Sequence, residues 1–216
     1  MRSAVLGIAM ASLTMLTCSV VQARPVSYAG GWTLIEVANR ASTAGLVHYS
    51  PAHNFSVGLR HEWQRANDVK LTAIQPTLLV KRWFGREYQG NFYLTGGLGT
   101  AKDESPNKLG SDTASFVGVM ADWETRTLFV SYEARFLEQG ALGNHSMHAA
   151  RFGWAPYAGD TGELHTWLML EVDRREHFED KTSVTPLLRF FKGPALLELG
   201  YNLTDPSPLV NFTYRF

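Results

Sequence analysis

His48-Tyr49-Ser50 places an imidazole and a hydroxyl two residues apart. On an extended strand the side chains of residues i and i+2 share a face, so His48 and Ser50 point the same way. An imidazole so placed can take the hydroxyl proton while the oxygen attacks an acyl carbon, provided that a carboxylate orients the ring. No sequence neighbour supplies that carboxylate, and Pro51 follows directly, so the triplet also reads as a strand that ends at a Ser-Pro turn. Asn144-His145-Ser146 repeats part of the pattern in what reads as a loop.

Composition removes several other chemistries. The 216 residues carry 20 Lys+Arg against 20 Asp+Glu, with 45% hydrophobic and 12% aromatic residues. Such a balance lacks the basic excess of a nucleic-acid footprint, and no nucleic-acid partner is expected. One cysteine makes neither an internal disulfide nor a thiolate zinc site, and no cofactor or metal is expected. Gly96-Gly97-Leu98-Gly99 interrupts a strand pattern and lacks the helix and Lys-Ser/Thr pair of a phosphate loop. The run from Arg174 to Lys181 mixes both signs and reads as a solvated loop.

The elements that must hold these residues begin after a leader. Arg2 precedes an uncharged stretch from Ser3 to Val21, and Val21-Gln22-Ala23 fits the small-x-Ala rule. Residues 1–23 therefore read as a secretory signal peptide that takes Cys18 with it, leaving 24–216 as one domain. From there the chain alternates with period two in segments of about ten residues bounded by Gly, Pro, Asn and Asp. Leu128, Val130, Tyr132, Ala134 and Phe136 fall on one face, for example, against Phe129, Ser131, Glu133 and Arg135. The segments are 31–40, 43–50, 54–64, 69–83, 91–102, 113–124, 127–138, 145–156, 164–173, 182–192, 195–204 and 208–216. Twelve strands is the reading and ten the competitor, because 31–40, 43–50 and 145–156 alternate least cleanly and Pro76 and Pro186 each remove a ladder donor, marking bulges or a miscount. Connections alternate in length: 50–54, 123–127 and 192–194 read as short turns, and 102–113, 138–145 and 173–182 as longer loops at the opposite end.

The chain finishes Val210-Asn211-Phe212-Thr213-Tyr214-Arg215-Phe216. An exposed terminal strand with three aromatics invites edge-to-edge association in water. With the leader, the alternation and this last strand, the sequence resembles small, uncharacterised outer-membrane β-barrel proteins of Gram-negative bacteria. The resemblance implies a closed antiparallel up-and-down transmembrane barrel, export to the outer membrane, contact with its lipid, and recognition of Phe212, Tyr214 and Phe216 by the barrel-assembly machinery. Aromatics near strand ends, Trp32, Trp63, Trp83, Trp123 and Trp154 among them, fit interfacial girdles. His48-Tyr49-Ser50 resembles the His-x-Ser element of outer-membrane lipid A deacylases, which implies His48 as general base and Ser50 as the hydroxyl it activates. In that family the element lies toward the chain end, and an asparagine stands where this chain has Pro51. A soluble periplasmic β-sandwich that binds a ligand is the third alternative, since sandwiches alternate too.

On the barrel register the inward face carries Arg60, Glu62, Lys81, Glu133, Arg135, Arg151, Glu171, Asp173, Arg189, Glu198 and Arg215. A pore lined by one sign would select ions. Mixed signs point to ion pairs across a narrow lumen and a non-enzymatic barrel, a small pore or a structural or surface-interaction protein. The sequence names no solute or ligand.

Overall fold

A computed structural model describes residues 25–106, 109–160, 162–176 and 179–216. The predicted leader, 1–23, lies outside the described residues. Twelve antiparallel strands form one closed barrel. They are β1 (Trp32–Ala38), β2 (Ser42–Ala52), β3 (Phe55–Gln64), β4 (Val69–Phe84), β5 (Tyr88–Asp103), β6 (Ser111–Thr125), β7 (Leu128–Glu138), β8 (Asn144–Trp154), β9 (His165–Glu176), β10 (Glu179–Lys192), β11 (Ala195–Asn202) and β12 (Ser207–Arg215). Each strand pairs with its sequence neighbours, and β1 pairs with β12 from Thr33↔Arg215 to Ala38↔Val210. Closure leaves neither the ten-strand count nor the two-sheet sandwich standing.

Alternation sets which face each residue takes. On β4, Leu71, Ala73, Gln75, Thr77 and Leu79 are buried inside, while Ile74, Leu78 and Val80 are exposed outside. Pro76 faces outward, and pairing with β5 skips from Ile74↔Leu98 to Thr77↔Thr95, so the missing N–H is absorbed as a local break. Pro186 stands just before the β10–β11 ladder, which starts at Leu187↔Gly200.

The start of β1 and the C-terminal Phe216 lie together at one end of the barrel, called the lower end here. Four lower connections are two or three residues long, but 155–164 is the longest in the barrel, against the expectation of short turns there. The predicted loop from Arg174 to Lys181 is also different. β9 runs to Glu176 and β10 starts at Glu179, so the ladder continues through most of it. Outside an apolar band both faces of a strand meet water, and hydrogen bonding persists without the alternation that reveals it in sequence. Likewise Asn144-His145-Ser146 is strand, not loop, and opens β8.

Before β1, the segment 25–31 folds into the lower lumen as a strap. Val26 packs with Leu79, Tyr93 and Met120. The Ser27 N–H donates to Ser50 Oγ (3.0 Å), and Ser56 Oγ donates to the Pro25 carbonyl (2.9 Å). Nothing in the alternation predicted this strap.

At Gly99 the neighbouring strand occupies the space a side chain would need. A Cβ on Gly99 would lie 1.9 Å from the Thr72 carbonyl oxygen and 2.5 Å from Ala73 Cα. Gly99→Ala should therefore push β4 from β5 and cost about 1–3 kcal/mol, read as a lowered midpoint of thermal unfolding. Gly45→Ala, whose Cβ meets nothing within 4 Å, should leave the midpoint unchanged. Equal midpoints for the two variants would refute the close approach.

Candidate functional site: the lumen

The barrel reverses the usual distribution of polarity. Leu59, Ile74, Leu98, Val117, Phe152 and Leu170 are exposed on the outside, whereas Glu62, Gln64, Glu171, Arg189 and Glu198 are buried within. Aromatics crowd the lower rim: Trp32 against Tyr49 at 5.2 Å, Tyr88 against Trp123 at 6.3 Å, and Trp83, Trp154 and Phe216 on the same level.

Inside, apolar side chains fill parts of the tube on either side of a polar middle. One cluster joins Val69, Leu71, Ala101, Ala114, Phe116 and Leu137 toward the upper end. A second joins Phe129, Ala155, Trp167, Met169, Leu187 and Leu209, and the strap cluster occupies the lower end. Between them is a chamber of about 270 Å³ whose lining includes Arg60, Gln75, Glu133, Arg135, Arg151, Glu171, Arg189 and Glu198, with Pro25 of the strap at its edge.

Two carboxylates organise the charges. Glu62 on β3 accepts both forks of Arg135 from β7 (2.8 and 2.8 Å) and two bonds from Arg60 (2.8 and 2.6 Å). The Arg135 pair is bidentate and spans the lumen, the stronger and more directional form of such contacts. Glu198 on β11 accepts from Arg189 (2.7 Å), Arg151 (3.2 Å) and Asn211 (2.7 Å), and Arg151 also reaches Glu171 (2.5 Å). Asp173 lies 3.6 Å from Arg175. The guanidiniums are braced by rings, Arg189 over Phe129 at 4.5 Å and Arg135 over Phe116 at 5.6 Å. Arg60, Arg135, Arg151, Arg175 and Arg189 thus face Glu62, Glu133, Glu171, Asp173 and Glu198, and the lining has no dominant sign.

Lys81 departs from its expected place. Leu79 pairs with Tyr93 but Lys81 with Phe92, so a bulge at Val80 shifts the phase and turns Lys81 outward. Arg82 takes the inward position, donating to Asn91 Oδ1 (2.7 Å), and Asn91 donates to Asp122 (2.6 Å). Period-two reading missed Arg82, Asn91 and Asp122 on the inner face, although strict alternation from Tyr93 and Met120 would have found the last two. It missed Arg175 because that residue was assigned to a loop.

His48 and Ser50 do share the inward face, at 1% and 0% exposure. Ser50 Oγ is occupied by the Ser27 N–H, His48 Nε2 has no hydrogen-bond partner among the described residues, and a charged neighbour of the imidazole is Arg215. A cation cannot orient imidazole as a carboxylate does, so among the described residues no triad is assembled around His48 and Ser50. Arg215, Thr33 and His48 lie side by side across β12, β1 and β2. His145 faces the upper lumen while Ser146 turns outward and donates to Glu176 (3.0 Å), so the second His-Ser sequence is split between faces.

No protein-family model and no curated protein matches the chain. Among solved structures it is similar to LpxR from Salmonella typhimurium, with a TM-score of 0.45 and 9% identity over 86% of this chain and 99% of that one. It is also similar to the loop L8 deletion mutant of OmpT, an outer membrane protein of Vibrio cholerae, with a TM-score of 0.33 and 8% identity over 86% and 96% of the two chains. The strand pairings, rather than these distant likenesses, carry the fold described above.

Removing Glu198 strands Arg189 in a buried setting and leaves Arg151 with Glu171 alone. Glu198→Ala should cost about 3–5 kcal/mol in urea unfolding of the barrel, with Glu198→Gln intermediate because it keeps the shape and one acceptor oxygen but sets an NH2 group against the remaining donors. A loss below about 0.5 kcal/mol would mean that the network does not hold the wall.

Proposed function

We propose that this chain is an integral outer-membrane β-barrel without enzymatic activity, whose lumen is closed at rest by paired charges, apolar side chains and the strap. The carrying observation is the reversal of polarity around a closed ladder. Water would penalise an exterior of leucine, valine and phenylalanine, and a hydrocarbon solvent favours it while demanding that no strand edge remain unpaired. Strands of 16 residues in β4 and β5 exceed the about 9–11 that a tilted strand needs to cross. The aromatic lower rim supports an interfacial position.

Within this reading the leader 1–23 is cleaved after Ala23, the lower end faces the periplasm, and Phe212, Tyr214 and Phe216 present the assembly signal of the last strand. The balanced lining argues against an ion-selective conduit. The role that remains is structural or surface-interaction, with the chamber as an internal polar compartment. The buried, strap-bound Ser50 argues against acyl hydrolysis at this site, so Ser50→Ala should leave the acylation pattern of lipid A unchanged in mass spectra of expressing cells.

Two measurements test the proposal. The native chain should fractionate with outer membranes and migrate faster on a detergent gel before boiling than after; release with the soluble periplasm would overturn it. In planar bilayers the full chain should be silent, and a variant lacking 25–28 should open, because Pro25 lines the chamber and Val26 fills the lower lumen. Steady conductance by the full chain would contradict closure.

A further inference from the structure

The outward wall of β3 to β6 arranges cations, hydroxyls and an apolar groove in one descending stripe. Lys70 and Lys102 stand directly opposite each other in the β4–β5 ladder, a like-charge pairing that sheets disfavour. Glu104 lies 2.9 Å from Lys102 and 3.8 Å from Lys70, so one carboxylate is divided between two ammonium groups. Arg65 adds a third cation at the top of β3, stacked 5.0 Å from the Trp63 ring and bonded to the neutral acceptors Thr43 Oγ1 and the Asn39 carbonyl. Two other carboxylates stand nearby: Asp68, which accepts from Trp63 Nε1 at 2.7 Å, and Glu138 on β7, paired with Ser115 lower on the wall.

The next outward positions down the wall are Thr72, Thr100 and Thr113, paired across β4, β5 and β6, with Thr72 held by His61 at 2.9 Å. Below them a groove of about 640 Å³ opens on the outer face between Ile74, Leu98, Val117 and Phe136. Its floor is low because Gly96 brings no side chain to the outer face and Pro76 interrupts the ladder beside it. Levels agree with a membrane position. From Trp83 at the lower rim up to Lys70, β4 rises roughly 30 Å along the membrane normal at about 3.3 Å per residue and a tilt near 45°. Such a rise crosses the apolar band and brings the lysines to the opposite headgroup layer.

We propose that this stripe binds a phosphorylated saccharolipid of the outer leaflet. A phosphate sits between Lys70 and Lys102, sugar hydroxyls meet the threonines, and an acyl chain lies in the groove floored by Gly96. The inference rests on the outer-membrane reading, which supplies both the lipid and the orientation. Charge complementarity selects an anionic headgroup, since each cation near a lipid surface contributes attraction to anionic lipid.

Native mass spectrometry of the full mature barrel, released from detergent with bis-phosphorylated lipid A or with phosphatidylglycerol, tests it. The wild type should retain lipid A in preference to phosphatidylglycerol, and Lys70→Gln with Lys102→Gln should reduce the retained fraction by about tenfold or more. Gly96→Leu should also reduce it by filling the groove; a Cβ there has its nearest contacts at 3.9 and 4.0 Å, so the wall tolerates the start of a side chain. Both variants should keep the heat-dependent gel shift of the folded barrel. Undiminished lipid A retention by the double lysine variant, or equal retention of phosphatidylglycerol by the wild type, would overturn the site. Loss of the gel shift in the wild type itself would instead sink the outer-membrane reading on which it stands.

Discussion

A β-strand carries a polar group on every residue along both edges, and those groups must be bonded wherever water is absent. In this chain the decisive contact is accordingly the seam between β1 and β12. There Thr33 to Ala38 pairs with Val210 to Arg215, and the Trp32 and Phe216 backbones exchange two further hydrogen bonds at 2.8 and 3.0 Å. Break that seam and two full edges open at once. The remaining pairings are local in sequence and follow from short connections, whereas this one joins the chain ends and converts a meander into a tube.

A closed tube imposes its own demand on the interior. Twelve strands enclose more width than aliphatic side chains from one wall can span, and long arginines and glutamates meet across it. Arg135 reaches from β7 to Glu62 on β3, and Arg151 from β8 to Glu198 on β11. These contacts do not stabilise the barrel as hydrocarbon packing would, because removing the charges from bulk water costs much of what their attraction returns. They fix which walls face each other: truncating Glu62 leaves Arg60 and Arg135 without their partner, and truncating Glu198 strands Arg189 while Arg151 keeps Glu171. The strap completes the filling at the lower end, where inward residues such as Tyr93, Leu79 and Ser50 would otherwise line an opening.

Much of this was legible in sequence wherever the two faces of a strand meet different solvents. The faces of β7 and β9 read correctly from Val130-Ser131-Tyr132-Glu133 and Leu168 to Asp173, because an apolar exterior and a polar interior impose opposite chemistry on successive residues. Legibility fails where that contrast fails. Arg174, Arg175 and Glu176 continue β9 above the apolar band and look like loop. Lys81 sits one residue past a bulge, and a single inserted residue inverts every later assignment on that strand. The strap has no periodicity, since it crosses the lumen as irregular chain. His48 and Ser50 illustrate a further limit: spacing predicted their shared face, but not that a backbone amide from the strap would claim the hydroxyl or that Arg215 would be the imidazole's neighbour.

The central claim is that the outer face meets lipid and the inner face does not, residue by residue. The sequence's one cysteine, Cys18, falls in the predicted leader, so the chain from residue 24 accepts single cysteines without competition. Variants at Val130, Ser131, Tyr132, Glu133 and Ala134, each labelled with a fluorophore and folded into vesicles bearing nitroxide-labelled lipid, measure contact with the acyl chains directly. Strong quenching at 130, 132 and 134 with weak quenching at 131 and 133 is the predicted result. Uniform quenching along the strand, or none at any position, would contradict a lipid-facing barrel.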